Sequence, residues 1–403
     1  MGVTPIHDAD LPLVAMNDPA FWADVHPPLA AARERASMCR TKDGATYVLR
    51  LEPTEALLKD PRFLAADLLA MQGLNSGPVW EWWSRVMFSR NPPDHTRLRR
   101  LVSRAFTPRR VEALRPRIAE LVGELLAPAF DGEEIDVMAS VAHALPAAVM
   151  AEMLAIPAAD HEVFRDWTTE IGLVFGAATD PAVRRRVEEA LAALTEYVHR
   201  LIAERAARPG ADLLSTLIQV EEGGDRLSAE ELVDLLLNLL FAGHDTTRGA
   251  IGATFWLFAG HADQLDLVRA DEALVPNAVD EILRYEPITF GTARQPDADV
   301  ELDGYLIPAG MPIAVCLVAA SRDPRRYERP DDFDVTRTDV RPPTFGAGIH
   351  YCLGAALAKV ELEEVVRLTA AHVAHVEQTA DTRWTPFASI RRFDSLRVRL
   401  ASA

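Results

Sequence analysis

The chain has 403 residues, 49% of them apolar and 25% charged, which is the composition of an ordinary globular protein. Its net charge of −18 excludes a general nucleic-acid binder, because such proteins need a basic footprint. Three cysteines, Cys39, Cys316 and Cys352, are too few and too scattered for a disulfide framework. Lysine is almost absent, so arginine supplies 39 of the 42 basic side chains, a bias common in GC-rich bacterial genomes. No Gly/Ser linker, low-complexity run or repeat divides the chain, and residues 1–403 read as a single domain. Met1 to Ala36 lacks the basic start and apolar core of a secretory leader. The most apolar stretch, Leu235 to Gly243, contains Asn238 and is too short to span a bilayer. The expectation is a cytoplasmic protein with no membrane contact.

In chain order, Asp43-Gly44 is a hairpin signal before the alternating segment Ala45 to Leu51. The stretch from Met71 to Met87 holds Trp80, Trp82 and Trp83 and reads as a long loop. Thr107 and Pro108 read as an N-cap and first helical position ahead of the periodic run Val111 to Leu126. Helical patterns follow over Val137 to Leu154, Ala159 to Phe175, Pro181 to Arg208, Ser228 to Ala259 and Leu274 to Tyr285. Ser228 and Glu231 form a capping box for the longest of them. A second hairpin signal, Asp303-Gly304, separates Val300-Glu301-Leu302 from Tyr305-Leu306-Ile307. Helices fill the middle and short strands the ends, so the fold is mainly α with a minor β part.

The longest helix is apolar nearly all round, which predicts burial. In its middle stands Ala242-Gly243-His244-Asp245-Thr246-Thr247, and buried polar groups need partners or a purpose. Gly243 weakens a helix, and a Thr hydroxyl can bond back to the carbonyl one turn earlier, opening the ladder locally. The bland alternative is a polar stripe facing solvent.

Near the C-terminal end, Phe345-Gly346-Ala347-Gly348-Ile349-His350-Tyr351-Cys352-Leu353-Gly354 precedes the helical stretch Ala355 to Ala370. A thiolate there faces free N–H groups and the positive end of a helix dipole, which lowers its pKa and favours metal ligation. The glycines let the backbone turn tightly and lie flat against a large planar ligand. One thiolate with only His350 beside it suits zinc poorly, since zinc wants several ligands. It suits haem iron, whose four equatorial ligands come from the porphyrin. The bland alternative is a buried, inert cysteine.

This loop resembles the haem-binding loop of the cytochrome P450 superfamily, Phe-Gly-x-Gly-x-His/Arg-x-Cys-x-Gly, at every fixed position. Ala242 to Thr247 is similar to that family's oxygen-binding motif, Ala/Gly-Gly-x-Asp/Glu-Thr-Thr. The resemblance runs by motif from about His95 to the C-terminus. It implies a triangular helical prism with haem b (iron protoporphyrin IX) between the long central helix and the helix after the cysteine loop. It further implies Cys352 as the axial metal ligand and Thr246 and Asp245 as the catalytic alcohol and acid. Cleaving the O–O bond consumes two protons, which a hydroxyl can order and a carboxylate can relay. His95, Arg99, Arg294 and His350 match contacts to the haem carboxylates, and Phe345, Gly346, Ala242 and Gly243 would border the cofactor. Glu281 and Arg284, in a Glu-x-x-Arg motif, with Arg337 look like a structural ion triad. Ser321 stands where the family more often has Asn.

The resemblance implies a monooxygenase that uses O2 to hydroxylate or epoxidise an apolar small molecule, in bacterial natural-product metabolism. Oxidative coupling, desaturation or peroxide-driven chemistry is the nearest alternative. A non-catalytic haem-binding sensor or carrier is the alternative of another class. No Gly-x-Gly-x-x-Gly follows a strand, so electrons must come from outside. The expected partners are a ferredoxin and its NAD(P)H-dependent reductase. Arg97, Arg100, Arg104, Arg109 and Arg110 form a basic cluster where an acidic ferredoxin would dock. Expected substrate contacts are the loop from Met71 to Met87, Leu240 and Ala242, Ile288 to Phe290, and Phe387 to Ile390.

Overall fold

Local signals set most of the element boundaries. The computed structural model describes residues 3–174, 179–222, 224–385 and 390–402. The helices that matter for the site are α1 (Pro78–Arg85), α2 (Asp94–Ala105), α3 (Pro108–Glu112), α4 (Arg115–Phe130), α5 (Ala144–Leu154), α6 (His161–Gly172), α7 (Pro181–Ala207), α8 (Ala229–Gly260), α9 (Val275–Tyr285) and α10 (Ala355–His372). Thr107 caps α3 by accepting the Arg110 N–H. Pro116 then stands in the first turn of a new helix, so the run from Val111 to Leu126 is divided between α3 and α4. The segment ahead of α5 is a π-turn, Met138–Ala142. At α8 both halves of the capping box form, Glu231 N–H to Ser228 and Ser228 N–H to Glu231. The expected end of the helix at Phe175 and the contacts of 387–389 lie outside the described residues.

Among the described residues, five α-helices before residue 90 (Pro19–Ala23, His26–Arg35, Leu51–Lys59, Leu68–Met71 and Pro78–Arg85) were not evident from periodicity. One of them, His26–Arg35, buries Arg33, whose guanidinium donates to the Ala319 carbonyl at 2.6 Å. A charged group on the inward face hides the apolar stripe that periodicity detects. The supposed loop from Met71 to Met87 contains α1, which turns Val79, Trp82 and Trp83 into the core.

Both hairpin signals are realised. Met38–Thr41 pairs antiparallel with Thr46–Val48, and Val300–Leu302 with Tyr305–Ile307. The main sheet has six strands in the order Leu13–Val14, Met38–Thr41, Thr46–Val48, Ile313–Cys316, Gly291–Pro296, Phe63–Ala65. Arg294 stands opposite Ile313 on one side and Ala65 on the other, so two strands hold its backbone. A three-stranded sheet joins Glu134–Asp136, Arg397–Ser402 and Val373–Gln378.

The helix α8 packs against α5, α6, α7, α9 and α10. Phe241, Ile251, Phe255 and Phe258 along it are fully buried, each stabilising by roughly 1.5–3 kcal/mol. The architecture is mainly helical with a minor β part, as expected. Among the described residues no helix is long and apolar enough to cross a membrane.

Candidate active site

The cysteine loop is pinned by its own backbone. The Cys352 N–H donates to the Phe345 carbonyl at 2.9 Å, and the Tyr351 N–H to Gly348 at 3.1 Å. Gly348 has φ +69°, and a Cβ there would overlap the carbonyl of Leu58. Its glycine is therefore required by the neighbouring Leu51–Lys59 helix and not by a planar ligand. Gly346, also at φ +69°, lies on the side of the loop that faces Leu51 and Thr54, away from the cavity at Cys352. Burial pushes the Cys352 thiol up, while the N–H groups of Gly354 and Ala355 and the charge of Arg99 pull it down. The net direction is upward, so the helix terminus alone does not produce the depressed thiol that the sequence led us to expect.

Cys352 opens into a cavity of about 290 Å³ between α8 and α10. Ala242, Gly243, Thr246 and Thr247 wall one side, Leu357 and Ala358 the other. Phe345, His350, His95 and Arg99 also line it. The rings of His95 and His350 lie 4.1 Å apart, and neither His95 Nδ1 nor either nitrogen of His350 has a hydrogen-bond partner. Burial lowers the pKa of His95 to about 4 and of His350 to about 3, with the charges of Arg99 and Arg294 adding to the effect on both. Arg294 does not line the cavity and donates to Thr292 Oγ1 and the Ala293 carbonyl. Buried imidazoles and guanidiniums converging without an acid between them require an anionic partner. Two carboxylates at the edge of a planar macrocycle meet that requirement. Among the described residues no group of three or more His, Cys, Asp or Glu offers a protein-only metal site.

His244, Asp245 and Thr247 in the middle of α8 are buried and Thr246 is half-buried against the cavity, so they form no solvent-facing stripe. Thr246 Oγ1 donates to the Ala242 carbonyl at 2.9 Å, the expected back-bond, yet α8 stays helical throughout Ala229–Gly260. Asp245 points elsewhere. Its Oδ1 accepts from Arg392 at 3.1 Å and lies 3.8 Å from Arg248 and 3.7 Å from His244. Its Oδ2 is buried without a partner, beside Gly172 of α6, where a Cβ would collide with it. The alcohol thus faces the cavity and the acid faces a separate polar cluster.

Glu281 and Arg284 pair at 2.6 and 2.7 Å with no exposure, and Arg337 reaches Glu281 at 3.4 Å. Arg284 also donates to the carbonyls of Ser321 and Pro330, so the triad fastens the segment that leads to the cysteine loop. Several expected substrate contacts fall away. Trp82 and Trp83 pack edge-on against Phe241, and Trp80 donates to Asp67. Leu240 and Phe290 do not line the cavity, and Phe290 packs on Phe21, Trp22 and Tyr47. Ala242, Ile288, Met87 and the neighbouring Phe88 do line it. Asn238 and Glu361 line it too and were not anticipated, Glu361 standing among Lys359, Glu363 and Glu364 like any charge on a helix surface. The basic cluster is partly neutralised, because Arg97 pairs with Asp225 and Glu231, and Arg100 with Asp225.

A separate, more open pocket of about 520 Å³ shares no residue with the cysteine cavity. Its buried Glu286 accepts from His26, Arg322 and Arg391, so that carboxylate is already saturated.

Comparison with known proteins agrees with the geometry. The cytochrome P450 family model matches residues 80–369. The chain is 37% identical over 406 residues to cytochrome P450 107B1 of Saccharopolyspora erythraea, covering 97% of this chain and 98% of that protein. It is 38% identical over 326 residues to the 6-deoxyerythronolide B hydroxylase of the same organism, covering 80% of each. The structure of the open cytochrome P450 Eryk from S. erythraea superposes with a TM-score of 0.84 at 31% identity, covering 97% of this chain and 98% of that one. With its cysteine loop, its central helix and a likeness that spans nearly its whole length, the chain belongs to the cytochrome P450 family of haem-dependent monooxygenases.

Proposed function

We propose that this protein holds haem b through Cys352 and uses O2 to insert an oxygen atom into an apolar natural product. The observation that carries the reading is a single cavity presenting the Cys352 thiol, the unpaired His95 and His350, and the Thr246 hydroxyl. Haem, when bound, supplies the reductive activation of dioxygen, which thiolate ligation favours. His95, Arg99 and His350 would hold its carboxylates by N–H donation, with Arg294 adding charge from the sheet behind. Ala242 and Gly243 leave α8 without bulk beside the cofactor, and Phe345 anchors the Cys352 N–H. Gly346 serves by its backbone turn. Thr246 keeps its Oγ1 proton on Ala242 and its lone pairs open to a water or substrate in the cavity. Asp245 acts as the acid of the pair from the cluster of Arg248, His244 and Arg392.

Electrons would come from a ferredoxin and its NAD(P)H-dependent reductase. In support, α3, which carries the exposed Arg109, packs against α10 beside the cysteine loop. Three free thiols suit the reducing cytoplasm. The name of the 6-deoxyerythronolide B hydroxylase supports a natural-product substrate.

The test incubates candidate natural products with ¹⁸O₂, NADPH and surrogate redox partners, followed by mass spectrometry. One labelled oxygen per product is expected. Consumption of substrate without label would establish desaturation or coupling instead. Haem binding with no turnover of any candidate would favour a carrier or sensor.

A further inference from the structure

Asn238 is the one polar side chain in the run Leu235–Phe241, and it is only 4% exposed. Its carbonyl oxygen is shut off from bulk water and accepts nothing. Buried amides are nearly always paired, so an unpaired one in an apolar setting marks an absent partner. If the position served packing alone, leucine would fill it as it fills its neighbours. Asn238 lines the cavity that contains Cys352, on one stripe with Ala242, Thr246 and Ala250. These four recur at i, i+4 spacing, which keeps them on one face of α8. Eight residues separate Asn238 from Thr246, so the amide lies roughly 12 Å further along the helix axis.

We infer that Asn238 is a specificity residue that hydrogen-bonds a hydroxyl of the substrate. The inference rests on the oxygenase reading of this cavity and names its substrate class. The substrate is an elongated apolar molecule carrying a hydroxyl on the order of 10 Å from the end that meets Thr246. A hydroxyl both donates and accepts, so it satisfies a carboxamide in either orientation. A charged group there would be stranded among leucines. A methyl group would leave the amide unpaired, and such sites reject analogues that lack the hydroxyl.

The test uses the haem-loaded protein and two series of probes, 1-alkylimidazoles and their ω-hydroxy counterparts, in chain lengths that span this distance. Imidazole ligation is read as a shift of the haem absorption band, so no turnover and no native substrate are needed. In the wild type the ratio of the two dissociation constants should favour the hydroxylated probe at one chain length over shorter ones. In Asn238→Leu that preference should fall about ten- to a hundred-fold, the hydroxylated probe losing affinity and the alkyl probe losing none. Asn238→Ala should behave alike. A ratio that is the same in wild type and both variants at every length overturns the inference while leaving the oxygenase reading intact. A wild-type series with no dependence on chain length also overturns it, without reference to any variant. No absorption shift with any imidazole would instead overturn the haem-pocket reading beneath it.

Discussion

Thr246 and Asp245 are adjacent in the chain, yet they face different surroundings, and this shapes what each substitution should do. Thr246→Ala removes the only hydroxyl of the pair without touching Cys352 or the imidazoles. Haem and ligand binding should persist, while product per NADPH falls several-fold and peroxide appears in its place. Parallel assays of product, NADPH and peroxide check this, and unchanged coupling would remove Thr246 from proton delivery. Glu361 behaves differently, because burial raises its pKa from 4.5 to about 8 and its Oε2 has no partner. Between those two values the unfolded chain ionises while the folded protein stays protonated, so stability falls as pH rises. Glu361→Gln should remove that dependence and stabilise by on the order of 3 kcal/mol at pH 7. Thermal melts of both proteins at pH 5 and pH 8 decide it, the gain being larger at pH 8. The motif residues were legible because their order along the chain is local. Asn238 and Glu361 were not, since nothing in a sequence tells an unpaired buried amide or acid from a satisfied one.

At the scale of elements, caps and turns were read well and inward charges badly. Ser228-Glu231, Thr107-Pro108 and the two Asp-Gly turns form as read because each is a short-range geometry. The Trp-rich segment became α1 because a helix buries Trp82 and Trp83 together, and tertiary packing outweighed the appearance of a loop. The arginine cluster on α2 was read as open to a partner, but Arg97 and Arg100 pair with Asp225 on the short antiparallel pair Glu221–Glu222 and Asp225–Arg226, a long-range contact that charge counting omits. The contact between the cysteine loop and the Leu51–Lys59 helix gives a direct test. Gly348→Ala adds a Cβ where backbone from Leu58 already sits, at a φ that alanine disfavours. The loop must shift, so the variant should lose haem several-fold faster to a haem-scavenging protein and melt lower by about 2 kcal/mol or more. Wild-type haem retention would show that the two elements can separate at little cost.

For the whole molecule, the cofactor edge couples stability to pH. Without carboxylates beside them, His95 and His350 have folded pKa values of about 4 and 3 against an ordinary 6.5. Below pH 6.5 the unfolded chain then binds protons that the folded chain refuses, so stability is lost as pH falls. Carboxylates placed between these groups would restore the imidazolium forms. The melting temperature of haem-free protein should therefore drop more steeply between pH 6.5 and pH 5 than that of loaded protein, which paired scans would show. Parallel slopes would mean that other groups hold the cofactor's acids. The stripe of Asn238, Ala242, Thr246 and Ala250 has a further consequence. Its members stand about 6 Å apart along a helix whose remaining faces are locked into the core. With Ala242 kept small beside the cofactor and Thr246 kept for its hydroxyl, the far end of the line is the position left to vary. The helix works as a ruler, on which exchanging the end graduation, Asn238, resets the length of molecule admitted.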